Sequence, residues 1–343
     1  MAELFSTFAN FKTFVGGRIN QSIELDSIAP TIYDTARRHL VPWLGLEFYE
    51  AMVAAAAGTP NSAQTALLPY IKKPLALLTM YEYSKVGKIF FSENGLQRFE
   101  NENFKSAYRY QEKDYVESML EHGYDAIENL LLFLDREQAT YTDWRDSDEG
   151  EAHLSMLLNY AAEFRRLTSH QCDRYTFEAL RPIIADVEVW GAEKIVPAEF
   201  WEGFKARHLA GTLTVAEKVV RKYMRQAFAQ RALEQATVLH WVQIRSGRIY
   251  VAEEFGEQSQ VNRTMPPSGG GSLYFAHGVW SDRHTQRWID YINANPGDFP
   301  TIFDEASGGT NEDADAWHIN TDDEQTEADA LAVEAKSKGV FLL

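Results

Sequence analysis

Residues 47–50 read EFYE, and residues 199–202, which lie 152 positions further along the chain, read EFWE. Other similar segments follow in the same order at nearly the same spacing. At a spacing of 152 they are Ile28, Pro30, Ile32 and Asp34 with Leu180, Pro182, Ile184 and Asp186, and at 158 they are Phe133 and Leu134 with Tyr291 and Ile292. One such pair could be coincidence, but several pairs in one order indicate an internal duplication.

The duplication predicts two homologous lobes, residues 1–150 and 151–302, followed by an acidic C-terminal tail at 303–343. Each lobe is expected to contain an amphipathic helix, a short second helix, a long third helix, a hairpin and a final helix. The first helices are expected at 24–39 and 176–193, the third at 64–87 and 214–241, and the final ones at 105–135 and 281–294. The expected fold class is therefore mainly α with small β-hairpins, an α+β fold.

Small turn-forming residues lie between apolar runs after the third helix of each lobe. These residues are Asn94 and Gly95 in lobe one, and Ser246 and Gly247 in lobe two. Asn and Gly readily adopt the positive φ angles of a two-residue hairpin turn. Because strand edges pair with other chains, we expect these four residues to bind partners. The hairpins are expected near residues 88–99 and 241–252.

The composition changes after Phe303. Residues 304–343 contain 11 acidic and two basic residues, which is typical of a solvated tail that does not fold by itself. The tail nevertheless contains large apolar residues, among them Trp317, Phe341, Leu342 and Leu343. Apolar residues on an acidic tether suit a docking arm, so we predict that these residues bind a partner.

The chain is acidic overall. Its 343 residues include 50 Asp plus Glu and 33 Lys plus Arg, which gives a net charge of −17. This charge disfavours general nucleic-acid binding, because affinity for phosphate comes from Lys and Arg. The single cysteine, Cys172, cannot form an internal disulfide, so the composition suits a reducing cytoplasm. No window approaches the roughly 20 apolar residues of a membrane span, and no secretion signal is recognisable, so we expect no membrane association.

Motifs that indicate chemistry are sparse. Cys172 lies two residues from His170, but the sequence around them lacks the further partners of a thiol nucleophile or a zinc site. His277 and His284 could share a helix face, although a surface or core role is the simpler interpretation. Residues 265–272, MPPSGGGS, are expected to form a loop but lack the Lys of a phosphate-binding loop. We therefore predict that the protein is not an enzyme and uses no cofactor or metal.

Five segments of the first lobe carry a resemblance to a known family. They are LVPWLGLEFYEAM (40–52), LLPYIKKPLALLTMY (67–81), SENGLQR (92–98), KSAYRY (105–110) and IENLLLFLD (127–135). With these segments the chain resembles an uncharacterised family encoded in phages and prophages of Bacteroidetes. Members of that family lie among virion assembly genes and are similar to helical head-to-tail connector (adaptor) proteins. The resemblance covers most of lobe one and continues weakly through lobe two.

The resemblance implies a structural role in the virion neck, as a connector that forms a ring between portal and tail. The expected partners are the portal protein and the tail or neck proteins, and DNA would pass through the lumen without sequence-specific binding. Twelve copies would match the usual portal symmetry, and we favour twelve over six, although six duplicated chains would also present twelve similar lobes. The protein would assemble in the cytoplasm of the host bacterium and end in the virion.

Two other functions are open from the sequence. The chain could be another virion assembly component, such as a tail-completion ring or an internal capsid protein. It could also be a metal-dependent hydrolase that uses Asp and His residues in a cleft between the lobes. A connector is expected to form a defined ring, whereas a hydrolase is expected to bind stoichiometric metal as a monomer or dimer.

Overall fold

The computed structural model describes residues 4–16, 25–86, 89–92, 95–98, 109–193, 195–238, 242–245, 248–251 and 267–303. Within these residues the fold is all-α, because helices and the loops between them supply the buried core and no strand occurs where side chains are described. The expected α+β class, mainly α with small β-hairpins, is therefore wrong. The prediction failed because pairs of four-residue extended segments are too small to form a sheet that covers a core.

Fourteen α-helices and one 3₁₀ turn are numbered here along the described chain. The first nine are α1 (Phe8–Val15), α2 (Leu25–His39), α3 (Val41–Leu44), α4 (Leu46–Ala57), α5 (Ser62–Val86), α6 (Arg109–Arg136), α7 (Thr142–Arg145), α8 (Asp148–Leu154) and α9 (Ala161–Thr168). The others are α10 (Arg174–Glu193), α11 (Ala198–Leu209), α12 (Val215–Val238), α13 (Pro267–Ala294), the 3₁₀ turn Pro296–Asp298 and α14 (Pro300–Phe303).

The helix bounds repeat along the chain. Both ends of α4 and α11 differ by 152 residues, and both ends of α6 and α13 differ by 158 residues. These are the spacings of the similar sequence segments. Whether the two halves superimpose in space stays a prediction.

The chain divides into two compact units. Unit 1 contains residues 1–166 and 170–179, and unit 2 contains residues 167–169 and 180–343. This division falls within α10, later than the lobe boundary expected at 150/151. The reason is that the first turns of α10 pack in unit 1, where Phe177 contacts Phe164 with ring centroids 5.9 Å apart.

Two pairs of extended segments are described at the backbone only. They are Ile89–Ser92 with Gly95–Arg98, and Val242–Arg245 with Arg248–Val251, and each pair is antiparallel. Gly95 is a paired residue opposite Ser92 rather than a turn residue. Asn94, Ser246 and Gly247 lie outside the described residues, as does the whole tail with Trp317, Phe341, Leu342 and Leu343.

The loop expected at residues 265–272 is largely wrong, because α13 begins at Pro267 and includes the three glycines. A proline suits the first position of a helix, where its missing N–H would have no intrahelical partner. Residues 265 and 266 lie outside the described residues.

The core of unit 1 forms where α5 packs along α6, with α1 and α2 packed against α5. The buried residues of α5 include every residue from 74 to 80, so this part of the helix is buried on all sides. Four of these residues are Leu67, Ile71, Leu75 and Leu78, and α6 contributes Met119, Ile127, Leu130 and Leu134. Unit 2 has the corresponding arrangement, in which α12 packs along α13.

Helices α5 and α12 each begin with a reciprocal capping pair. At the start of α5, the backbone N–H of Asn61 donates to the Gln64 side chain (2.9 Å), and that of Gln64 donates to the Asn61 side chain (2.8 Å). At the start of α12, the N–H of Thr214 donates to Glu217 (2.9 Å), and that of Glu217 donates to the Thr214 hydroxyl (3.1 Å). Both pairs satisfy backbone donors that would otherwise lack partners. The same device therefore starts the long helix in each half.

Gly150 is expected to tolerate no side chain. A Cβ at this position would lie 1.9 Å from the carbonyl oxygen of Trp144. Backbone atoms cannot rotate away, so we expect Gly150→Ala to lower the free energy of unfolding by about 3 kcal/mol, the upper part of the usual range for overpacked sites. Urea denaturation followed by far-UV circular dichroism measures this change.

The matched control is Gly297→Ala in the 3₁₀ turn. A Cβ at Gly297 has no atom within 4 Å, so the expected change is below about 1 kcal/mol. Equal unfolding free energies for the two variants would contradict the close approach of Gly150 to the Trp144 carbonyl.

Candidate interaction surface

Two exposed tryptophans lie on separate helices of unit 2. Trp190 is 51% exposed in α10, and Trp280 is 43% exposed in α13. Each follows an exposed valine, Val189 or Val279. Large apolar side chains at adjacent exposed positions are typical of surfaces that bind other proteins.

Packing on the opposite side of α13 holds Trp280 outward. The preceding His277 is completely buried and its Nδ1 lies 2.6 Å from Oε1 of Gln230 in α12. One turn later, the Ser281 hydroxyl donates to the Ala227 carbonyl at 3.2 Å. These two contacts fix the rotation of α13 about its axis, so Trp280 does not turn into the core.

The end of α10 is fixed in a similar way. Gly191 lies against the ring of Phe228 in α12, and a Cβ on Gly191 would be 3.0 Å from that ring. The neighbouring Ala192 is fully buried. Because Gly191 and Ala192 pack against the core, Trp190 lies on the solvent-exposed side of α10.

Unit 1 contains a buried cluster of charged and polar side chains, which is a second candidate site. We call Glu128, Asn159, Arg174 and Glu178 the Arg174 cluster. The Arg174 side chain is completely buried; its Nε donates to Glu178, and its Nη1 donates to the Asn159 carbonyl at 2.8 Å. Its guanidinium carbon also lies 4.7 Å from the ring centroid of Trp43.

The Glu128 carboxylate connects this cluster to a helix start. It accepts the backbone N–H groups of Ala161 (3.2 Å) and Ala162 (3.1 Å), at the beginning of α9. A carboxylate at a helix N-terminus satisfies unpaired donors and interacts favourably with the helix dipole. Since Arg174 lies 3.8 Å from Glu128, the cluster joins α6, α9 and α10. Its geometry is that of a structural ion pair.

A neighbouring group contains His153, Asp135 and Tyr160. Nε2 of His153 lies 3.3 Å from Asp135, and the Tyr160 hydroxyl donates to the same carboxylate. The His153 side chain is completely buried and touches the rings of Trp43 and Trp144. Burial, followed by the Asp135 charge, raises the pKa of Tyr160. A general base must be reachable by a substrate proton, and the aromatic rings around His153 favour a structural role.

Cys172 is buried, and burial raises the pKa of its thiol above the ordinary value. The reactive form of cysteine is the thiolate, so this environment favours an inert structural residue. The histidine pair noted in the sequence is divided, because His277 is buried whereas His284 is partly exposed. Burial and the nearby Arg287 and Arg283 lower the pKa of His284.

The described part of the chain lacks a metal-binding cluster and a membrane-spanning helix. It contains no group of three or more His, Cys, Asp or Glu side chains that could hold a metal ion. Among the same residues, no helix combines the length and apolar character needed to cross a membrane.

The structure does not test the partner residues predicted from the sequence, so they stay a prediction. Gly95 is described at the backbone only, and the other seven lie outside the described residues. Trp190 and Trp280 were missed by sequence reasoning. No spacing signal marked Trp190 as exposed, because it lies seven residues after Ile183 and three after Val187, and both of these are buried in α10.

One comparison with known proteins gave a match. Residues 40–153 match the model of a family of unknown function, DUF6712. The match begins just before α3 and ends in α8, so it covers much of unit 1. Comparisons with curated proteins and with solved structures gave no significant match.

Proposed function

We propose that the protein is a structural component of a phage virion neck, a head-to-tail connector whose copies form a closed ring between portal and tail. The single observation that carries this proposal is the pair of exposed tryptophans, Trp190 and Trp280, on a helical body. Such residues supply much of the binding energy at protein interfaces. The resemblance of segments within residues 40–135 to an uncharacterised phage family, whose genes lie among virion assembly genes, supports this choice of assembly.

Ring formation requires two different surfaces of each copy to meet, so that rotation from copy to copy closes the circle. The two tryptophans lie on separate helices and could contribute to such surfaces. The net charge of −17 is also compatible with a DNA channel, because few cations would hold the phosphates. In this proposal the protein binds the portal and the tail and does not transform a substrate.

The test is the oligomeric state of the full-length chain, alone and with the portal protein of the same phage. Mass photometry is expected to give one defined species, with a mass twelve times the 39.1 kDa of one chain. Negative-stain microscopy is expected to display closed rings. A six-copy ring would keep the connector function and correct the symmetry, whereas a monomer at every concentration, with and without portal, would overturn the proposal.

A further inference from the structure

Unit 1 contains an apolar groove with a volume of about 500 Å³, formed by the end of α1 and by α5 and α6. Its base includes Tyr70 and Phe133, whose rings are stacked with centroids 4.3 Å apart. Leu132, on the same side of α6, is 44% exposed. The groove therefore offers aromatic and aliphatic surface to an incoming side chain.

The two charged residues that line the groove are both cations, Lys73 and Arg136. The Lys73 ammonium group donates to the Phe14 carbonyl at 2.6 Å, which fixes it beside the end of α1. The Arg136 guanidinium lies 5.6 Å from the Phe133 ring centroid and 3.1 Å from Glu137. Glu137 offsets the charge of Arg136, so Lys73 leaves the groove with a positive charge, whereas the whole chain has 17 more acidic than basic residues.

The corresponding positions of the second half do not repeat the cations. The starts of α5 and α12 differ by 153 residues, and at this spacing Lys73 corresponds to Gln226. At the spacing of 158 that relates α6 to α13, Arg136 corresponds to Ala294. The aromatic pair is kept, because Tyr70 corresponds to Tyr223 and Phe133 to Tyr291. The repeated helical plan accounts for the aromatic residues, but it does not account for the cations.

We propose that the groove of unit 1 binds the tail segment Glu312–Glu324 of this chain, with the Trp317 side chain on the Tyr70 and Phe133 rings. This segment, EDADAWHINTDDE, contains one tryptophan with three acidic residues on each side. An indole stacks on aromatic rings and on guanidinium groups, and its acidic neighbours complement Lys73 and Arg136.

Charge also separates this occupant from the apolar C-terminal end of the tail. Phe341 and its apolar neighbours follow Lys336 and Lys338, which carry the same sign as the groove. Trp317 lies 14 residues after Phe303, and an extended chain of this length reaches about 46–50 Å. The tether therefore allows Trp317 to contact a groove that lies within about 50 Å of the end of α14, on the same copy or on a neighbouring copy.

Disulfide trapping in the full-length chain tests this docking. The native Cys172 is buried, so new surface cysteines can be paired without interference. One variant carries Asn129→Cys, at the groove, with Ala316→Cys beside the tryptophan. The matched control carries Asn129→Cys with Ser337→Cys, near the apolar end of the tail.

The pair 129/316 is expected to form its disulfide at least about tenfold faster than the pair 129/337. A factor of this size is what the loss or gain of one hot-spot contact produces in a binding equilibrium. Replacing both cations, by Lys73→Gln and Arg136→Gln, is expected to remove most of this advantage, and so is Trp317→Ala. Non-reducing gels separate a cross-link within one copy from a cross-linked dimer, and either form supports the docking.

Equal rates for the two pairs, or a faster 129/337 pair, would overturn the proposal. It would also fail if the advantage survived Trp317→Ala and the double glutamine variant while circular dichroism confirmed their normal folding. The docking does not depend on ring assembly, so a failed cross-link leaves the connector proposal standing, and a monomeric protein can still trap its own tail.

Discussion

Replacing Trp190 and Trp280 together by alanine is expected to abolish the ring while the monomer stays folded. Both side chains are about half exposed, so their removal leaves little cavity in unit 2. At an interface, each hot-spot tryptophan contributes about 2 kcal/mol or more, which corresponds to about 30-fold in the dissociation constant. Mass photometry across a dilution series measures the dissociation of the ring, and thermal melting followed by circular dichroism measures the fold.

The matched control for this experiment is Tyr33→Ala in α2. Tyr33 is 41% exposed, and its ring lies 4.8 Å from the Arg37 guanidinium carbon. Tyr33 is an aromatic residue of similar exposure outside unit 2, and we expect the oligomeric ring to remain intact in the Tyr33→Ala variant. Equal loss of the ring in both experiments would indicate a general solubility effect, and survival of the ring in the double tryptophan variant would rule out the proposed interface.

The helical plan could be predicted because its signals are local. The apolar spacing of α2 predicted a helix over 24–39, and the structure has Leu25–His39. The capping pairs Asn61/Gln64 and Thr214/Glu217 were also readable, since each needs only residues three positions apart. They would have placed the starts of α5 and α12 and added a further match to the duplication.

The fold class failed for a different reason. An Asn-Gly pair between apolar runs predicts a local hairpin, but it carries no information on whether that hairpin joins a sheet. The glycines of α13 were likewise predicted to lie in a loop, because glycine has a low intrinsic helix propensity. The structure includes them in the helix that begins at Pro267. Tertiary context and the proline start override such local preferences.

The sites depend on contacts that a single sequence does not reveal. The exposure of Trp280 follows from the contacts of His277 with Gln230 and of Ser281 with Ala227, which bring α13 against α12. The groove likewise joins Lys73 and Arg136, which are far apart along the chain. Charge and apolar character were visible in both cases, but their relative positions required the packed helices.

The Arg174 cluster carries the largest expected effect on stability. Arg174→Met leaves the Glu128 and Glu178 carboxylates without their buried cation and removes the contact with the Trp43 ring. Breaking a buried ion pair by removing one partner costs about 3–5 kcal/mol, so we expect a loss of this size in the free energy of unfolding. The loss for Arg174→Lys should be intermediate, since lysine keeps the positive charge but lacks the planar guanidinium group that donates several hydrogen bonds.

Arg166→Met makes the same chemical change at an ion pair whose arginine is exposed, and it serves as the control. Arg166 is 77% exposed and lies 3.4 Å from Glu163, so solvent screens the pair and the expected loss is below about 1 kcal/mol. Urea denaturation compares the two variants, with hydrogen exchange in α9 and α10 locating the change. If Arg174→Met matched Arg166→Met, the well-packed methionine would replace the ion pair without loss, and the cluster would not hold α6, α9 and α10 together.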